Sequence, residues 1–128
     1  MNMTESNMRE ERGQLAGPMV VYEPLTLWGS VGGDVSVIDN GKFYLRGAVY
    51  GNLTVEKGGR VHIFGSVTGN LIVMEHAKVI VSGMIGGDSI NEGGRLHIDN
   101  TAKILGKVKT KKGDTKIQSP YGSPTRAE

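Results

Sequence analysis

One pattern decides most of what this chain can fold into: a unit of eighteen residues in tandem. Val61 to Lys78 reads VHIFGSVTGNLIVMEHAK. It slides back onto Phe43 to Arg60, FYLRGAVYGNLTVEKGGR, and again onto Leu25 to Lys42, LTLWGSVGGDVSVIDNGK. Slid forward, it lands on Val79 to Arg95, VIVSGMIGGDSINEGGR, one residue short. Inside the unit an apolar residue returns every six positions: Leu25, Val31, Val37, Phe43, Val49, Val55, Val61, Val67, Val73, Val79 and Ile85. The gap in the fourth copy falls between Asp88 and Ile90 on this count, and the six-step resumes at Ile90, Leu96, Ala102 and Val108.

Further apolar residues stand two positions from these: Leu27, Leu45, Ile63, Val81 and Ile98, then Val35, Leu53 and Leu71. Spacing of two means strand, and the three-and-four spacing of a helix is absent. Eighteen is three sixes, so each copy predicts one turn of a three-sided coil. The expected fold is all-β: a single-domain right-handed β-helix, a β-solenoid of about five coils of 17–18 residues. A left-handed hexapeptide β-helix is the alternative, because acyltransferases of that type also place an aliphatic residue every six. Large residues at Val35, Leu53 and Leu71 favour the right-handed form.

Glycine accounts for 20 of 128 residues, and the excess is periodic. Gly29, Gly47, Gly65 and Gly83 share one coil position; Gly33, Gly51, Gly69 and Gly87 share another. Corners with positive φ would explain them. Asp34, Asn52, Asn70 and Asp88 follow the second column, and stacked Asx side chains are expected to hydrogen-bond along the axis.

Outside the repeat the sequence changes character. Residues 1–18 read as a disordered arm, and Met19 to Pro24 as a short capping segment of a β-helix domain spanning 19–108. Residues 109–128, rich in lysine with Pro120 and Pro124, read as a disordered basic tail. Charge follows the same division: net −2 over residues 1–24, zero over 25–106 and +4 over 107–128. Cysteine is absent, which excludes disulfides, thiolate metal sites and thiol nucleophiles. No apolar run nears the ~20 residues of a membrane span, and no secretory leader is visible.

The units GSVGGDVSV (29–37), GAVYGNLTV (47–55) and GSVTGNLIV (65–73), then GMIGGDSI (83–90), resemble those of bactofilins. These are bacterial cytoskeletal proteins built as short right-handed β-helices between disordered arms. The resemblance covers residues 25–108 and implies a scaffold that polymerises end to end without nucleotide. It implies a cytoplasmic protein, peripheral at the inner membrane in many members. Two departures stand out: five coils is short for that family, and the polar N-terminal arm is a poor membrane anchor. The aromatic end-coil residue important for polymerisation there has no counterpart here, and Ile104 and Leu105 stand nearest to it.

The candidate sites follow from the coil. A solenoid exposes unpaired backbone at its ends, so Leu25 and Leu27 at one end and Ile104, Leu105 and Val108 at the other are the expected self-assembly contacts. Trp28, Arg46, Phe64 and Ser82 share an outward column beside Tyr44 and His62, a face suited to a protein partner or to cover by Met19 to Tyr22. Lys42, Arg60, Lys78 and Arg95 close successive coils as a basic ladder, with Asp39, Glu75 and Glu92 three residues earlier as neighbouring acids. With Lys109, Lys111 and Lys112 of the tail, the ladder could contact anions such as a membrane surface. Nucleic-acid specificity is not expected, because no aromatics interleave the tail lysines. His62 and His97 lie two coils apart, about 10 Å by strand spacing, too far to share a metal. No serine has a histidine and an acid placed by the pattern, and no glycine motif carries a P-loop lysine. The expectation is therefore a non-enzymatic protein with no cofactor and no metal, whose partner is itself.

Overall fold

The structure, a computed structural model, describes residues 9–118 and 124–125. Among them there is no helix; parallel strands stack as a β-solenoid of about six turns. The first coil is Arg9–Glu11 (β1), Gln14–Ala16 (β2) and Met19–Val21 (β3). The second is Pro24–Leu27 (β4), Ser30–Gly32 (β5) and Val35–Val37 (β6). Lys42–Leu45 (β7), Ala48–Val49 (β8) and Leu53–Val55 (β9) make the third, and Arg60–Ile63 (β10), Ser66–Val67 (β11) and Leu71–Val73 (β12) the fourth. Lys78–Val81 (β13) and Met84–Ile85 (β14) open the fifth, which Ser89–Ile98 (β15) completes before rounding a corner into the sixth. Lys103–Ile104 (β16) and Val108–Gln118 (β17) finish the chain's winding, and Pro124–Thr125 (β18) pairs antiparallel with the end of β17.

Three faces result. Face one stacks β1, β4, β7, β10, β13 and the second parts of β15 and β17. Face two stacks β2, β5, β8, β11, β14 and β16. Face three stacks β3, β6, β9, β12 and the first parts of β15 and β17. Every second residue points inward, so Leu25, Leu27, Val31, Val35 and Val37 are buried in one coil, and Phe43, Leu45, Val49, Leu53 and Val55 in the next. Each such side chain contributes on the order of 1.5–3 kcal/mol by leaving water. The apolar residues expected inside from Leu25 to Ile85 all lie in this one core.

The ends extend further than the repeat suggests. The expected disordered arm contains two strands, β1 and β2, and the expected cap Met19–Val21 is the third side of a full coil. Register partners here are sixteen apart (Leu15 with Val31, Val21 with Val37), so a search at eighteen passes over them. The basic tail is likewise a strand as far as Gln118, with Ile98 opposite Ile117 at a step of nineteen. Extended backbone needs only an edge to pair with, and the sixth coil supplies one. The parts of the expected arm and tail at 1–8, 119–123 and 126–128 lie outside the described residues.

The missing residue is also elsewhere. Leu71, Ile72 and Val73 pair with Ser89, Ile90 and Asn91, so the eighteen-step holds through Asn91 and breaks in the turn after it. Ser89 and Asn91 therefore point inward, and Ile90, expected in the core, is only half-buried. In the three preceding coils this turn is closed by backbone: Gly41 N–H donates to Ile38 (2.8 Å), Gly59 to Glu56 (2.8 Å) and Ala77 to Met74 (3.1 Å). Their third residues, Asn40, Gly58 and His76, take left-handed φ of 73°, 82° and 66°. In the shortened turn the Asn91 side chain stands in. Its Oδ1 accepts from Gly93 N–H (3.0 Å) and Gly94 N–H (2.8 Å). Its Nδ2 donates to the Gly94 and Asp114 carbonyls and to the Thr115 hydroxyl (3.1, 2.9 and 3.1 Å).

The glycine corners have a different cause from the expected one. Gly29, Gly47, Gly65 and Gly83 do not have positive φ. They are required by contact, since a Cβ on Gly47 would fall on the carbonyl oxygen of Gly29, and one on Gly65 on that of Gly47. The Asx column does bond along the axis, but to backbone: Oδ1 of Asp34, Asn52, Asn70 and Asp88 accepts the N–H of Asn52, Asn70, Asp88 and Lys107, each at 2.8 Å. Amides that a sharp corner would leave unpaired are satisfied by the coil before.

Candidate functional site

Face one carries the basic ladder, and the exposed Trp28 and Phe64 rings lie along its border. Its outward residues form three columns across the strands. The first column is Lys42, Arg60, Lys78 and Arg95, consecutive register partners that begin below Pro24 and end at Asp114. These are the four cations that close successive coils in the sequence, and among the described residues none of the neighbouring acids forms an ion pair with them. The ion pairs among the described residues are Arg9 with Glu11 and Glu23, Arg12 with Glu10, and Lys111 with Glu92 (3.3 Å). Of the tail cations, Lys109, Lys111 and Lys112 lie on β17, and Lys111 is occupied by that contact.

The second column is Thr26, Tyr44, His62, Ile80, His97 and Lys116, in register. Between the first two columns a shallow groove of about 260 Å³ is lined by Lys42, Arg60, Lys78, Tyr44, His62 and Ile80. On the ladder's other flank a groove of about 400 Å³ runs over the turns, lined by the same three cations with Asp39, Asn40 and His76 among others.

The third column is a stack. The Arg46 guanidinium lies 5.2 Å from the Trp28 ring centre and 4.1 Å from that of Phe64. Arg12, from the first coil, covers Trp28 at 5.2 Å. The His62 and Phe64 rings stack at 3.8 Å. Met19–Val21 sits on face three instead, so it does not cover this column. Trp28 stays 43% and Phe64 36% exposed. Cations between ring faces gain roughly 0.5–1 kcal/mol each at such exposure, so the column braces the coils it crosses. Arg12 escaped the sequence reading because it lies in the sixteen-residue coil. Its position, sixteen before Trp28, would have disclosed it.

Where aromatics end, the column continues in hydrogen bonds. Ser82 Oγ donates to Asp99 Oδ2 (2.5 Å) and lies 3.0 Å from His62 Nε2, and Thr101 Oγ1 donates to Asp99 Oδ1 (2.6 Å). The fold thus brings together a serine, a histidine and an acid that the sequence pattern did not connect. The order is His–Ser–Asp, with serine central. In an acyl-transfer triad histidine is central and takes the serine proton. Here the proton points at Asp99. Burial pushes that carboxyl up, but hydrogen bonds from Ser82 and Thr101 outweigh it and hold it below its ordinary value, leaving a weak base. His62 is held below its ordinary value, first by burial and then by Arg46, against the pull of Asp99. The arrangement can orient side chains; it does not activate the serine.

The expected end residues divide. Leu25 and Leu27 lie inside, 2% and 0% exposed, because β1 covers β4. The true first coil offers Leu15 and Met19, both partly buried against the core. At the other end Ile104 and Val108 are partly buried in the last coil, and Leu105 is 60% exposed. Among the described residues no group of three or more His, Cys, Asp and Glu side chains is placed to hold a metal, and no helix is long and apolar enough to cross a membrane. Comparison of the chain with family models, curated proteins and solved structures gives no match.

Proposed function

We propose that this chain is a structural, bactofilin-like scaffold that polymerises through the ends of its solenoid without nucleotide. Right-handed winding and a cytoplasmic site, with contact to the inner membrane, belong to the same reading. The observation that carries it is the pair of ends. β1, β2 and β3 present one set of strand edges over Leu15 and Met19; β16 and the first part of β17 present another beside Ile104, Leu105 and Val108. Parallel strands in register continue as readily onto a second copy as onto the next coil. The charge contrast between the ends lies at the last coil: residues 103–112 carry five lysines and no acid, while residues 9–23 carry three glutamates that all pair with Arg9 or Arg12 and leave a net charge of −1. β18 covers only the Ile117–Gln118 part of the final edge. Negative-stain microscopy and sedimentation test the reading: wild-type protein forms filaments at micromolar concentration, and Leu105→Glu leaves folded monomers. Wild-type protein that stays monomeric at high micromolar concentration overturns it.

A second reading, a non-polymerising module that docks a protein partner on the Trp28 and Phe64 face, draws on the exposure of those two rings. Trp28→Ser with Phe64→Ser would then abolish partner capture and leave a folded monomer, with wild-type protein forming no filaments.

A further inference from the structure

The ladder on face one has no structural justification of its own. Like charges directly opposite on neighbouring strands destabilise a sheet, and here four stand in one row. At about 4.8 Å per strand the row is about 15 Å long. No ion pair among the described residues reaches it. Arg60, Lys78 and Arg95 are exposed, and Lys42 is half-buried. It is one charge wide, and grooves flank it on both sides, beside Lys42 to Lys78 and again beside Lys78 and Arg95.

The flanks differ in chemistry. The turn side offers Asp39, Asn40 and His76, groups that exchange hydrogen bonds with hydroxyls. The strand side offers the Tyr44 ring and the Ile80 side chain, which suit C–H surface. Cations down the middle, hydroxyl partners on one edge and apolar contact on the other match a chain that carries carboxylates, hydroxyls and C–H faces together. We propose that this row binds an unbranched acidic polysaccharide, laid parallel to the solenoid axis with successive carboxylates over Lys42, Arg60, Lys78 and Arg95.

Other polyanions fit less well. Single-stranded nucleic acid wants a succession of free ring faces for its bases, but among the described residues Tyr44 is the one Phe, Tyr or Trp ring lining the flanking grooves, and His62 beside it is stacked on Phe64. An acidic peptide would seek a strand edge, and the row runs across strands within a sheet. A flat anionic bilayer would meet Asp99 and Asp114 along with the cations.

The test uses the full chain and oligogalacturonate with at least as many sugars as the row has cations, titrated by calorimetry at low and moderate salt. Binding is expected, weakening with salt. Arg60→Gln with Lys78→Gln should lower affinity about tenfold, as loss of two charge-assisted contacts implies, and Arg95→Gln alone less. The double variant should melt no lower than wild type, because a like-charge contact is gone. Lys109→Gln with Lys112→Gln removes the same charge elsewhere and should leave affinity within about twofold. Equal loss from the tail variant overturns the site. Inorganic polyphosphate, a single-stranded oligonucleotide or anionic vesicles binding as tightly through Arg60 and Lys78 overturns the carbohydrate assignment. No binding of oligogalacturonate at low salt overturns both.

Discussion

Coils two to four keep a step of eighteen residues, coils five to six depart from it, and the two regions close their turns by different means. In the earlier coils the backbone closes its own turn, and the inward residues are Val35 and Val37, Leu53 and Val55, Leu71 and Val73. In the fifth coil the same two sites hold Ser89 and Asn91, both fully buried. One buried amide with five hydrogen bonds replaces a lost residue of main chain. Regular coils are thus specified by repetition, and irregular ones by single side chains. The two kinds of region should fail differently when altered.

The largest effect is expected in the regular part. Gly47→Ala places a Cβ on the Gly29 carbonyl oxygen, where backbone cannot yield without parting two coils. A loss of about 3 kcal/mol is expected, read by urea unfolding. Gly13 ends the same column and has nothing within 4 Å of its missing Cβ. Gly13→Ala should therefore stay within about 0.5 kcal/mol of wild type. Similar losses from both would mean that conformation, not contact, fixes these glycines.

The next effect belongs to the irregular part. Asn91→Val copies the residue of the regular coils but strands the Gly93 and Gly94 amides and the Asp114 carbonyl. About 2–3 kcal/mol should be lost. Replacing Glu92–Arg95 by the five residues Glu56–Arg60 restores the long turn, and with it Asn91→Val should recover most of that loss. Failure to recover would show that Asn91 does more than fill a gap. Its neighbour Ser89 has a buried hydroxyl without a partner, so Ser89→Ala should gain about 1 kcal/mol.

Legibility in the sequence divides along the same line. The three-sided coil, the inward residues from Leu25 to Ile85 and the ladder from Lys42 to Lys78 follow from an unbroken period, because each repeats a neighbour that confirms it, and Arg95 is reached across a one-residue gap. Leu15 and Arg12 were hidden by a step of sixteen, and Ile117 by one of nineteen. Leu25 and Leu27 were misplaced at an end for the same reason. Asn91 was unreadable because a polar residue at an aliphatic position looks like an error in the repeat until its partners across the turn are known. Ser82, His62 and Asp99 meet only because Asp99 opens an enlarged corner that ends at Ala102, whose N–H closes on the Asp99 carbonyl at 3.1 Å.

That last network joins the two regions and gives the smallest effect. Both titrating groups are held below their ordinary values, His62 from 6.5 and Asp99 from 3.8. For each, the unfolded chain takes up its proton first as pH falls, so the folded state loses stability in the acid direction. The His62 part is fully present above about pH 6.5 and fades as pH drops through the lower folded value; the Asp99 part fades only below about pH 3.8. The melting temperature should therefore decline gently just below pH 6.5, and His62→Gln should flatten that slope without changing the fall at strong acid. Asp99→Asn should do the opposite and also loosen the corner, since Ser82 and Thr101 then donate to a neutral amide oxygen. A His62 slope of the reverse sign, with stability rising as pH falls through 6.5, would mean that attraction to Asp99 outweighs burial and that the hydrogen-bonded end is held as an ion pair.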